Sequence, residues 1–185
     1  NYLQLQVKLQ KIDVKVSKLW YDQGNEMLVV LNNQEQLKCL KLHDDDDDDK
    51  TKNKGEFNLG YKALVFSWKD VIHGYEIEDD NLNLAVHEFT HAIHFYYMSV
   101  RRHSTSAAIF LNSYVELINL LDGDVALKSK LVKSKFLRDY AFTNQFEFLS
   151  VVIETFIESP DDFKQYFPRI YNKVKIMLGF DFAGY

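Results

Sequence analysis

The sequence predicts an α+β fold, with a short sheet first and a helical body after it. Three observations carry this. Residues up to about 40 alternate apolar and polar side chains, the period of a strand. From residue 81 onward the apolar spacing changes to three and four, the period of a helix. Between the two lies a run of six aspartates, Asp44–Asp49, that neither pattern accommodates.

The opening YLQLQVKLQ sets Leu3, Leu5, Val7 and Leu9 on one face and Gln4, Gln6 and Lys8 on the other. The phase flips at Ile12, Val14 and Val16, which predicts a bulge or turn near Lys11. DQGN at 22–25 separates KVSKLWY from EMLVVL and predicts a hairpin. In the aspartate run mutual repulsion disfavours a compact fold, so it reads as a solvated loop. It also lacks the spaced ligands and turn glycine of an ordered calcium loop. YKALVFSW is a short strand, punctuated ahead by Gly55 and Gly60. Five helical stretches follow, at 81–99, 106–121, 124–138, 144–158 and 160–178. Pro160 suits a helix start, with Ser159 as its N-cap, whereas Pro168 should kink or split the last stretch. The chain thus divides into a β-rich segment at 1–43, an acidic and polar loop at 44–54 and a core at 55–185.

Composition narrows the function. A hydrophobic share of 46% with 26% charge excludes a disordered chain, and 14 Phe with 11 Tyr predict a dense aromatic core. A net charge of −5 offers no footprint for nucleic acid. The single cysteine, Cys39, rules out a disulfide framework within the chain and a thiolate metal site, and fits a reducing, cytoplasmic compartment. No apolar run approaches the ~20 residues of a membrane span. Opening on Asn1 rather than Met, the chain reads as a fragment or a processed product, and any targeting segment lies outside it.

The chemistry concentrates in NLAVHEFTHAIHFYYM. On a helical wheel His91 lies about 40° from His87, so the two imidazoles share a face one turn apart. Two neutral imidazoles so placed can grip one Zn²⁺. Glu88, at about 100°, stands at the margin of that face, where a carboxylate can take a proton from water without ligating the metal. Phe89, Ile93, Tyr96, Val86 and Leu82 gather on the opposite side as a core face. Zinc needs a third protein ligand. The HExxHxxGxxH extension is absent, since His94 and Tyr97 stand where it would place Gly and His. His103 follows the helix end and two arginines and reads as a surface residue. Two carboxylates remain open, Glu116 in FLNSYVELINLL and Glu147 in the stretch at 144–158. On the latter, Glu147, Glu154 and Glu158 fall within about 40° of one another, with Phe148, Leu149, Val152 and Phe156 on the far side.

HEFTHAIH, followed after a gap by YAFTNQFEFLSVVIETFIESP, resembles the Mlc titration factor A family of zinc-dependent peptidases. KGEFNLGYKALVFSWKDVIHG is similar to the stretch that precedes the zinc helix in that family. The likeness covers about 54–181 and leaves 1–53 outside. It implies a gluzincin-type zincin, similar to the catalytic domain of anthrax lethal factor. It carries the zinc ligands onto His87, His91 and Glu147, the general base onto Glu88 and the active-site tyrosine onto Tyr140. Beside these, Glu154 is expected to accept a ligand His N–H, and His94 to line the cleft or lie on the surface. The strand at 61–67 is expected to offer an edge to an extended substrate. The implied cofactor is Zn²⁺ and the implied partner a peptide or protein substrate, with neither nucleic acid nor membrane. A second reading, from the family's binding of a transcriptional repressor, makes the chain a regulatory partner in which zinc is mainly structural.

Overall fold

The computed structural model describes residues 18–22, 27–31, 55–58, 63–77 and 80–183. The bulge expected near Lys11, the Asp44–Asp49 run and the loop at 44–54 lie outside the described residues.

The predicted hairpin is present as β1 (Lys18–Asp22) and β2 (Met27–Leu31), paired antiparallel with Asp22 opposite Met27. The YKALVFSW strand is β4 (Ala63–Ser67), paired with β2. A further strand, β3 (Gly55–Asn58), pairs with β4 where the sequence reading had only glycine punctuation. The sheet order is β1-β2-β4-β3, all antiparallel. β4 therefore has a partner on each side, and the edge expected there is taken. β3 is the end strand on that side of the sheet.

Trp68 does not continue the strand. It opens α1 (Trp68–Glu76), because the Ser67 hydroxyl accepts the Asp70 N–H and caps a new helix. α2 (Leu84–Val100) carries the HExxH stretch. It begins later than expected because Asn83, in extended conformation, caps it through the Val86 N–H. Leu82 thus precedes the helix and is exposed, and Tyr96 is 59% exposed, so neither joins the core face. Phe89 and Ile93 are buried as expected, with Phe89 facing Phe66 of β4 at 5.8 Å between ring centres.

α3 (Thr105–Gly123) and α4 (Val125–Ser134) follow, capped by Ser104 and Asp124. α4 ends short of 138 because Lys135 turns left-handed, at φ 56°. A 3-10 turn (Asp139–Phe142) leads into α5 (Gln145–Glu158), whose N-terminus is capped by Asn144 through the Phe146 and Glu147 N–H groups. Pro168 splits the last stretch into α6 (Pro160–Tyr166) and α7 (Pro168–Leu178). Phe167 sits between them at φ −134° and ψ 56°, off the helical region that a residue before proline avoids. Gly179 closes α7 in a left-handed C-cap.

The core lies where α3, α5 and α7 meet. Phe110, Leu117, Leu149, Phe156, Ile170 and Tyr171 are all buried there. Removing each such side chain from water contributes roughly 1.5–3 kcal/mol, so the aromatic content supplies much of the driving force. Every residue of α5 from Phe148 to Phe156 is buried. The acidic face of this helix is not solvated. It turns inward onto α2, and Glu154 is 1% exposed.

Candidate metal centre

α2 and α5 lie side by side, which brings His87, His91 and Glu147 together. Each offers one donor atom, and the three atoms lie within 4.8 Å of one another. Oε2 of Glu147 is 2.8 Å from Nε2 of His87 and 3.5 Å from Nε2 of His91. Zinc bonds of about 2.0–2.1 Å in tetrahedral geometry space their ligands roughly 3.4 Å apart, and the observed separations bracket that value.

Both nitrogens of His87 face carboxylates, because Nδ1 is 3.1 Å from Oε2 of Glu154. Burial lowers the affinity of this ring for a proton, but Glu154, Glu88 and Glu147 outweigh it and hold its pKa above the ordinary value. A ring so surrounded calls for positive charge at Nε2, which a metal cation supplies as well as a proton does. His91 goes the other way. Burial depresses its pKa, helped by the neighbouring His87, and keeps the imidazole neutral, the form that ligates metal. Ser150 braces both histidines: its hydroxyl donates to the His87 carbonyl at 3.2 Å and lies 3.4 Å from His91 Nδ1. The donor set therefore fits a divalent ion of the zinc type.

Glu88 is buried and stays outside that set of three. Room for it is made by Gly55 of β3, where an added Cβ would stand 2.8 Å from Glu88 Cγ. Glu88 and Tyr140 line a cleft of about 370 Å³ with His87, Arg138, Gly55 and His73. Tyr140, on the 3-10 turn, is 50% exposed, and its ring centre is 5.8 Å from that of His87. Burial, and then the charges of Glu147 and Glu88, raise the phenol pKa, so the hydroxyl keeps its proton.

Glu154 and Glu158 tie α5 to the start of α2. Glu154 Oε1 accepts the Asn83 N–H at 3.1 Å, while Glu158 accepts from the Leu82 N–H and the Asn83 side-chain amide. Burial pushes Glu158 up to about 7.

Other candidates stand apart. Glu116 is 58% exposed in its side chain and pairs with Lys173 at 2.6 Å, so it takes no part in the cluster. His103 is exposed. His94 neither lines the cleft nor reaches the surface. It is buried among Phe146, Tyr114, Phe95 and Phe110, with ring centres at 5.3–6.3 Å, and its Nδ1 has no hydrogen-bond partner. Burial lowers its pKa, as suits a neutral ring in an aromatic box. Its wheel position does resemble that of the ligands, but α3 supplies aromatic side chains there.

Sequence reasoning missed Asn83, Ser150, Gly55 and Arg138. Asn83 carried a readable signal, an N-cap residue directly before an apolar helical run. Ser150 follows Glu147 by one helical turn, a spacing that placed it on the inner face. For Gly55 and Arg138 the contacts come from elements distant in sequence, and no local pattern marks them.

A family model described as glucose-regulated metallo-peptidase M90 matches residues 15–177. The match agrees with the resemblance to the Mlc titration factor A family and extends it, because it includes most of the segment at 1–53 that the resemblance left out. No curated protein and no solved structure matches the chain. Among the described residues no helix is long and apolar enough to cross a membrane.

Proposed function

Because the chain belongs to the glucose-regulated metallo-peptidase M90 family, we propose that it is a zinc-dependent peptidase in which Glu88 is the general base. The observation that carries this is the convergence of His87 Nε2, His91 Nε2 and Glu147 Oε2, with the buried Glu88 beside them and outside the set. Two histidines from one helix and a glutamate from a later one form the gluzincin arrangement. The small antiparallel sheet against α2 supports an α+β zincin of that type.

Zinc held by these three residues would lower the pKa of a bound water and polarise a peptide carbonyl. Glu88 then takes the proton of the attacking water and delivers it to the leaving amine. Tyr140, protonated at ordinary pH, donates a hydrogen bond to the oxyanion that develops on the carbonyl. Glu154 accepts the Nδ1–H of His87, which leaves Nε2 as the ligating nitrogen. An extended substrate would lie along β3, the end strand nearest Glu88, with main-chain hydrogen bonds to its outer edge.

The reading as a regulatory partner with structural zinc fits less well. Structural zinc is closed by four protein ligands, whereas three candidates converge among the described residues. The deciding experiment measures zinc content and hydrolysis of chromogenic peptides, with and without chelator, for the wild type and Glu88→Gln. Zinc near one per chain in both, with turnover lost in the variant by several orders of magnitude, is the expected result. Retention of more than about a tenth of wild-type turnover would remove Glu88 from the role of base.

A further inference from the structure

Arg138 directly precedes the 3-10 turn that carries Tyr140, and its guanidinium bonds Oε2 of Glu154. The same oxygen faces Nδ1 of His87. The other oxygen of Glu154 accepts the backbone N–H of Asn83. One buried carboxylate is thus gripped by donors from three places: the turn, the cap of α2 and the first histidine of the HExxH stretch. Among the described residues Arg138 is the only lysine or arginine paired with it. The Arg138 Nε is buried without a hydrogen-bond partner, and among the described residues the side chain's hydrogen bonding goes to Glu154.

The geometry decides what this contact does. With Oε1 held by the Asn83 N–H and Oε2 only by the weaker imidazole N–H, the carboxylate keeps some freedom about its χ3 torsion, which is broad. A charge-assisted bond from a planar guanidinium is shorter and roughly twice as strong as a neutral one. It fixes Oε2, and through Oε2 the plane of the His87 ring. Partners of this kind set the affinity of a site by orienting its ligands.

We propose that Arg138 is a positioning residue of the metal centre, which holds Glu154 so that His87 presents Nε2 toward Glu147 and His91. The proposal rests on the metallopeptidase reading. It also makes one side chain responsible for two alignments, that of His87 and that of the turn bearing Tyr140.

The test is a double-mutant cycle read on the metal, not on turnover. Zinc dissociation constants, from competition with a chromophoric chelator, and the visible spectrum of the Co²⁺-substituted protein are measured. The proteins are wild type, Arg138→Met, Arg138→Lys, Glu154→Gln and the Arg138→Met/Glu154→Gln double variant. Arg138→Met is expected to weaken zinc binding by about 10–100-fold and to shift the cobalt bands, with partial recovery in Arg138→Lys. In the Glu154→Gln background the same change should add less than about threefold, because its route to His87 is gone. The double variant leaves no buried charge unpaired, which keeps the comparison available if Arg138→Met alone folds poorly.

Equal loss in both backgrounds would overturn the proposal. So would a lower melting temperature with zinc affinity unchanged, which makes the contact merely structural. A raised KM with zinc affinity unchanged would also overturn it and make Arg138 a substrate contact. Wild-type protein that binds no zinc overturns the metallopeptidase reading and this proposal together. Wild type and Arg138→Met binding zinc equally well overturns the proposal alone.

Discussion

Replacing Gly55 by alanine tests the proposed general base without touching it. The added Cβ would stand 2.8 Å from Glu88 Cγ, 2.9 Å from Glu88 Oε1 and 2.9 Å from Leu84 Cδ1. Carbon atoms rest at about 3.5–4.0 Å, so the Glu88 stem must move by roughly 0.7–1.2 Å. Glu88 is a long side chain at the wall of a cleft, and it can move at modest expense to stability, about 1 kcal/mol. Catalysis is less forgiving, because a misplacement of about 1 Å can cost on the order of 10²-fold in rate. The three atoms nearest the new methyl belong to Glu88 and Leu84, and none of them to His87, His91 or Glu147. Gly55→Ala should therefore keep its zinc, melt within a few degrees of wild type and lose about 10–100-fold in kcat. Metal analysis, a thermal melt and peptide hydrolysis on one preparation give all three numbers. A kcat within threefold of wild type would refute the placement of Glu88 against β3. Loss of zinc would refute its separation from the ligands.

Three further outcomes are expected. Glu147→Ala should purify with little zinc and no activity, whereas Glu116→Ala should keep both and lose at most ~1 kcal/mol from its exposed pair with Lys173; zinc content by atomic emission would expose the reverse pattern. Tyr140→Phe should lower kcat by about 10²–10³ with little change in KM, and an unchanged kcat would return Tyr140 to a packing role. Burial raises Glu158 to a folded pKa of about 7, above its ordinary value of 4.5. Its share of stability is therefore present below pH ~4.5 and lost as pH rises through about 7. Glu158→Gln should flatten that decline by on the order of 1 kcal/mol, after discounting for the half of the group that water screens. Urea midpoints at pH 5 and pH 8 check it, and parallel slopes for wild type and variant would count against it.

What could be read ahead of the structure was what local periodicity records. The 40° between His87 and His91, the hairpin around DQGN, and Pro168 as a break all follow from neighbours a few residues apart. The third candidate metal ligand did not. Glu116 and Glu147 have the same local character, and only the resemblance preferred one before the packing of α2 on α5 separated them. The partners of the acidic face of α5 were hidden for the same reason. A wheel shows that Glu147, Glu154 and Glu158 share a side, but it cannot show that Asn83, His87 and Arg138 are waiting there with donors. β3 escaped notice because four residues with two glycines nearby carry no alternation, and its place comes from pairing with β4. His94 was misjudged because its surroundings come from Phe110 and Tyr114 of α3, far along the chain.

α5 has no outer side between Phe148 and Phe156. One flank belongs to the aromatic core and the other to the candidate metal centre, with a single layer of helix between them. In most proteins a random substitution has a fair chance of landing somewhere harmless. Here a change of one methylene at Leu149 or Val152 is felt in the core and next to Glu147, Ser150 and Glu154 alike. Selection for a sturdier core and selection for a better site must therefore act on the same few positions. A saturation library scored for both abundance and turnover should show the two losses falling together along this helix. At the exposed positions of α4, away from the buried Leu131, neither should fall.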